Sequence, residues 1–305
     1  MKKSWWLIAI LALVVLAIFI WPRNGDVPDP GDNGENGNNG ENGQNGEVLE
    51  ELELGYVNWA CATATGYLAK NIFESELDMD VNLRDMQAGL MWQSLGTGDI
   101  DMILSAWLPL THGQYYDEVE EDVELVRENY EGARIGLVVP EYVDIDSIEE
   151  LNDHVDEFGG QIVGIDAGAG IMNATQEALE VYDLDYSLLE SGDAAMTAEL
   201  STAIENEEWI VITGWTPHWK FAQFDLKFLE DPQDVYGGEE TINSVTREGF
   251  ADDFPRVQSF LENFYMTDEQ LGGLIGLMEE VGDNDQAAQQ WIEENRELVD
   301  EWLAE

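Results

Sequence analysis

The chain has 305 residues, 65 of them acidic and 12 basic, for a formal net charge of −53. A field of that sign disfavours nucleic acid and anionic membrane surfaces as partners. The single cysteine, Cys61, excludes an intrachain disulfide, and its small neighbours Ala60 and Ala62 point to a packed thiol rather than a reactive one.

Lys2 and Lys3 precede an uncharged apolar run from Trp5 to Trp21. As a helix this run spans roughly 26 Å, the short end of the transmembrane range. Tryptophans at both ends suit the two membrane interfaces, and the lysines favour a cytoplasmic N-terminus. The rival is a cleaved signal peptide, which ends its apolar region at a small-residue site. Here Trp21 is followed by Pro22-Arg23-Asn24, and no cysteine stands at the end of the run to take a lipid. Residues 1–23 therefore read as an uncleaved anchor that leaves the rest of the chain on the extracytoplasmic side.

Residues 24–47 repeat Asn, Gly, Asp and Glu. They cannot bury a core and read as a disordered tether. Residues 48–305 are left for one large domain or two lobes around a cleft. All 65 acidic residues but only nine of the 12 basic ones follow Arg23, so the exported part carries about −56. Acids spread over nearly every segment read as a surface adapted to concentrated salt, where screening shortens the repulsion to roughly 3 Å at 1 M. The melting temperature is therefore expected to rise from dilute buffer to molar sodium chloride. A flat or falling value would remove this halophilic reading.

Leu52 to Val57 alternates and contains strand formers, so it opens the domain as a strand. A helical stretch follows from Ala62 to Phe73, then a strand from Asp78 to Met86, a short helix from Met91 to Leu95 and a strand from Gly98 to Leu104. Arg134 to Pro140 is apolar and β-branched, a buried strand. Asp146-Ser147-Ile148-Glu149 has capping-box spacing and starts a helix. Gln161 to Ile165 is a strand, and Gly168-Ala169-Gly170 turns into a helix from Ile171 to Tyr182. Ala194 to Glu205 is helical and Trp209 to Thr213 a strand. Thr267 caps one C-terminal helix, and Asn284 to Leu303 supplies at least one more.

This alternation predicts an α/β fold with largely parallel sheets. The order of elements divides it into two lobes, lobe I over 48–140 and 230–305 and lobe II over 141–229. Ligands of such folds sit outside the carboxyl ends of strands and in interlobe crevices.

Three segments each place a tryptophan just after a predicted strand: Gly55-Tyr56-Val57-Asn58-Trp59, Ser105-Ala106-Trp107-Leu108-Pro109-Leu110-Thr111-His112, and Thr213-Gly214-Trp215-Thr216-Pro217-His218-Trp219. Rings arriving at strand ends can face one cavity. An aromatic box is what a quaternary ammonium needs, because that cation has no N–H to donate and is held by the negative ring faces. Any one tryptophan is more simply a large core residue; three in this arrangement are not. Gly170 and Ile171 lie where a Gly-rich turn enters a helix, whose first N–H groups lack partners and favour an anion. His218 reads as a brace for its loop and His154 as solvated.

With GIDAGAGIM at 164–172 and VPEYVDIDSIEEL at 139–151, the chain resembles the glycine betaine/proline betaine binding proteins of ABC importers over essentially all of 50–305. The resemblance implies a two-lobed periplasmic-binding-protein-like fold with the ligand in the interlobe cleft. It implies a prism of Trp59, Trp107 and Trp215 around a trimethylammonium group. The carboxylate would be held by the backbone N–H groups of Gly170 and Ile171 and by His112. It further implies that the partners are glycine betaine or a related compatible solute, a permease and its ATPase. Another quaternary ammonium such as choline or carnitine, or a receptor ectodomain, are the alternatives. No GxSxG, HExxH, CxxC pair or Walker loop is present, so neither an enzyme, a cofactor nor a metal is expected.

Overall fold

The computed structural model describes residues 50–304. The anchor and the tether expected over 1–47 lie outside the described residues. Among those described, no helix is long and apolar enough to cross a membrane.

In chain order the elements are β1 (Glu50–Tyr56), α1 (Ala60–Glu76), β2 (Met79–Asp85), α2 (Ala88–Thr97), β3 (Met102–Leu108), α3 (Gly113–Val119) and β4 (Val123–Pro140). A 3-10 helix (Ile148–His154) leads to β5 (Gln161–Val163), α4 (Gly170–Val181), β6 (Ser187–Leu189), α5 (Asp193–Glu205), β7 (Ile212–Thr216), α6 (Lys220–Gln223) and β8 (Leu226–Phe228). The chain ends with β9 (Glu240–Arg247), α7 (Phe250–Asp253), α8 (Pro255–Asn263), α9 (Asp268–Val281), α10 (Asn284–Glu294) and α11 (Arg296–Trp302).

The strands run in the order β2-β1-β3-β9-β4-β7-β5-β6, with β8 also on β4. They form two sheets because β4 serves both. Its residues up to Ala133 pair with β9, and from Arg134 onward it pairs with β7 and β8. The sheets are mixed rather than largely parallel. β1 lies parallel to β2 and β3, and β5 to β6 and β7, whereas β9 and β4 run antiparallel to their neighbours.

Only the apolar second half of β4 reads as a strand in the sequence. The first half, Val123-Glu124-Leu125-Val126-Arg127-Glu128, is polar because it is half exposed, and three register shifts against β9 interrupt its alternation. α1 places Leu68, Ala69, Ile72 and Phe73 in the core, where Phe73 meets Phe260 of α8 edge-on at 5.0 Å. The capping box at Thr267 forms with Gln270, and the one expected over Asp146 to Glu149 forms one residue later, from Ser147 to Glu150. Each satisfies otherwise orphaned helix N–H groups in both directions. Cys61 is fully buried, and desolvation pushes its thiol up to about 12, so it packs as an inert side chain.

Candidate functional site

The three singled-out tryptophans come from different parts of the fold. Trp59 is the N-cap residue of α1, just beyond β1. Trp107 is the penultimate residue of β3 and Trp215 that of β7, so these two lie inside strands rather than after them. Side chains alternate along a strand, and the antiparallel register sets Trp107 opposite Ile242 of β9 and Trp215 opposite Ile135 of β4. Leu108-Pro109 and Thr216-Pro217 are cis and follow Trp107 and Trp215 directly.

All three indoles line one cavity, together with Thr111, Ile135, Ile165, Ala169, Gly170 and Ile171. The cavity is narrow and partly open: its own volume is about 20 Å³, and the empty space along its walls, open solvent included, is about 280 Å³. Its walls come from both sheets, which meet closely here. A Cβ on Gly170 would fall 2.0 Å from the Thr111 carbonyl oxygen, so only glycine fits at this approach. Tyr115 of α3 donates its hydroxyl to the Gly168 carbonyl. Trp59 donates its indole N–H to Asp166 at 3.4 Å, and the Ala60 amide donates to Asp193 at 3.1 Å. These contacts join the first-sheet side of the cavity to the turns at α4 and α5. A larger, open crevice of about 1120 Å³ lies nearby, between Thr63, Ser201 and Met278. Its lining includes a single indole, Trp219, so its chemistry is less specific than that of the smaller cavity.

Gly170 and Ile171 are the first two residues of α4, whose N-cap Ala169 has no side chain with which to cap it. The first N–H groups of such a helix are free to meet an anion.

His112 is fully buried and is not among the residues lining the cavity. Its ring packs on Trp59, Trp92 and Tyr115 at centroid distances of 5.8, 5.9 and 6.2 Å. Burial pulls its pKa down to about 3, so the imidazole is neutral. Nδ1 accepts the Trp107 amide at 3.2 Å, which leaves the proton on Nε2. That Nε2 and the indole nitrogen of Trp107 are both buried without a protein partner. Leaving a buried donor unpaired costs about 1–3 kcal/mol, so each of these donors would gain from an acceptor.

The loop carrying His112 is held by a residue that the sequence does not single out. Glu240, buried at the start of β9, accepts the Leu110 amide at 2.6 Å and the Thr111 amide at 2.8 Å. Its second oxygen accepts the Thr111 hydroxyl. His218 does brace its loop: Nε2 meets Asp193 at 3.0 Å and Nδ1 accepts the Lys220 amide at 3.1 Å. His154 meets Glu157 at 3.4 Å and lies tilted at 42° against Trp209, centroids 5.1 Å apart, rather than standing free in solvent.

A family model described as the substrate-binding domain of an ABC-type glycine betaine transport system matches residues 50–294. A glycine betaine/carnitine transport binding protein from Listeria monocytogenes is 45% identical over 144 residues, 46% of this chain. The match spans about half that relative's length, 48%. Two crystal structures share the fold. The glycine betaine/L-proline-binding protein of an ABC transporter from Borrelia burgdorferi has a TM-score of 0.81 at 34% identity, over 84% of this chain and 97% of that one. Lactococcal OpuAC, closed around glycine betaine, has a TM-score of 0.79 at 33% identity, over 84% of this chain and 100% of that one.

Proposed function

The chain belongs to the family of substrate-binding domains of ABC-type glycine betaine transport systems, and from that premise we infer that it captures glycine betaine or a close relative for import. The family is one of solute-binding proteins and not of enzymes. The observation that carries the reading is the convergence of Trp59, Trp107, Trp215 and the uncapped start of α4 on one cavity. Indole faces hold a quaternary ammonium, and the Gly170 and Ile171 N–H groups with the unpartnered His112 Nε2 hold a carboxylate. Lobe I carries β1, β2, β3 and β9 with Trp59, Trp107 and His112. Lobe II carries β5, β6 and β7 with Trp215 and α4. The lobes meet at β4 and close as a hinge, because only the closed state completes the box. The first 23 residues anchor this domain outside the cytoplasm, 24–47 tether it, and the closed form docks on a permease driven by its ATPase. A protease-accessibility assay on intact cells tests that placement; a domain protected from added protease would sink it.

Choline is the second reading to weigh. The cavity lining contains no acidic side chain, so nothing there balances a ligand with net positive charge and no carboxylate. Calorimetry on the full chain separates the two. Glycine betaine is expected to bind at least about a hundredfold more tightly, since hydrogen bonds to a charged group are worth about 1.5–3 kcal/mol each. His112→Ala should weaken glycine betaine by one such bond and leave choline nearly unchanged. Equal affinity for both ligands would sink the carboxylate site, and equal losses in the variant would reduce His112 to a brace.

A further inference from the structure

One buried cation stands beside the cage without belonging to it. The side chain of Lys220, first residue of α6, is fully buried, and its Nζ has no hydrogen-bond partner. The Nζ lies 3.8 Å from the centroid of the Trp215 ring, within the range of a direct cation–π contact. Trp215 lines the cavity and Lys220 does not, so the indole separates the amine from the cavity. With one face covered by Lys220, the ring has its other face or its edge to offer a ligand.

We propose that Lys220 is an affinity-setting residue of the betaine cage: its amino group, charged, opposes the ligand's ammonium across Trp215 and, neutral, releases that opposition. The proposal rests on the betaine reading of the cavity and adds to it a pH dependence. A ligand ammonium within about 6 Å of the ring's far side stands on the order of 10 Å from Nζ. At an effective dielectric of about 20 two like charges at that separation weaken binding by about tenfold, but the ligand's carboxylate, of opposite sign and a few ångströms away, cancels most of this and leaves about twofold.

The titratable groups facing Lys220 are few. Asp193 of α5 favours its charge, while the Cys61 thiol of α1, raised to about 12 by burial, stays neutral across this range. His218, on its own loop, is held neutral by burial and by Lys220 itself, with its pKa down to about 4. Phe221 offers a second, more distant ring at 5.6 Å. Burial outweighs these and pulls Lys220 down to about 7. The sign follows from linkage. Burial and a bound ammonium both disfavour the charged amine, so binding expels its proton. Affinity should therefore rise as pH rises through about 7 and level off above. His112, at about 3, does not titrate in that window.

The experiment is calorimetry of glycine betaine binding to the full chain at pH 6, 7, 8 and 9, in buffers of differing ionisation enthalpy, for the parent and for Lys220→Met. Methionine keeps the length and apolar volume of the stem and removes the charge. Expected for the parent is a Kd that falls about twofold across the series, with partial proton release near pH 7. Expected for Lys220→Met is a Kd independent of pH and equal to the parent's value at pH 9, with no proton release. A flat parent profile, or a slope that persists in Lys220→Met, overturns the proposal while leaving the betaine site standing. Failure of both proteins to bind glycine betaine at any pH overturns the betaine reading and this inference with it.

Discussion

Gly170→Ala is expected to reduce glycine betaine affinity by at least about a hundredfold, close to 3 kcal/mol, without destabilising the ligand-free protein. The added Cβ would meet the Thr111 carbonyl oxygen at 2.0 Å and the carbonyl carbon at 2.8 Å. Both are backbone atoms, so no rotamer change relieves the overlap. Thr111 cannot easily retreat either, because Glu240 holds its amide and its hydroxyl. The start of α4 has to back away instead, taking with it the N–H groups proposed to hold the carboxylate. In the open state the overlap disappears, and alanine is a better helix residue than glycine by roughly 1 kcal/mol. Calorimetry and ligand-free thermal melts together check this. Affinity within threefold of the parent would show that the two sheets need not approach this closely to bind. A melting temperature lowered by many degrees would show that the contact is permanent core and not a closing surface.

The parts of this site that were legible in the sequence are those whose residue type is itself the chemistry. Trp59, Trp107 and Trp215 stood out because indoles at strand ends are unusual. Gly170 and Ile171 stand out because a Gly-rich turn entering a helix offers unpaired N–H groups that favour an anion. What the sequence hid are the supports. Glu240 clamps the Thr111 loop from 129 residues away, and no local pattern distinguishes it from the other carboxylates of this chain. Asp193 and Asp166 are hidden likewise: each looks like one more surface acid until the fold sets it against α1.

Two strands escape the pattern for different reasons: the first half of β4 carries charged residues on an exposed face, whereas β9 is buried yet polar, with Glu240, Asn243, Ser244 and Thr246 inside. Periodicity therefore found only the fully apolar half, Arg134 to Pro140. Since β9 joins β3 to β4, missing it also concealed how the Trp107 strand connects to the second sheet. A lysine after Pro-His-Trp reads as surface in the sequence, and only the burial of Lys220 on Trp215 shows otherwise.

Replacing Trp107 separates a cage from a core. Truncation to alanine removes a large buried ring, and buried aromatic truncations destabilise by about 3–5 kcal/mol. That is a sizeable part of the 5–15 kcal/mol that holds a typical domain together, so a loss of binding in Trp107→Ala alone would be ambiguous. Trp107→Phe and Trp107→Leu resolve it, because both keep bulk and only phenylalanine keeps a π face. The backbone amide of Trp107 continues to donate to His112 in each, so the proposed carboxylate donor keeps its tautomer. A desolvated cation–π face is worth about 2 kcal/mol or more. Trp107→Leu is therefore expected to lose about thirtyfold or more in glycine betaine affinity, and Trp107→Ala further still as water enters the box. Trp107→Phe should retain affinity within about tenfold. The measurement is calorimetry on variants first shown by thermal melts to be folded. If leucine binds as well as phenylalanine, the ring at 107 acts by volume alone and the ammonium is held elsewhere.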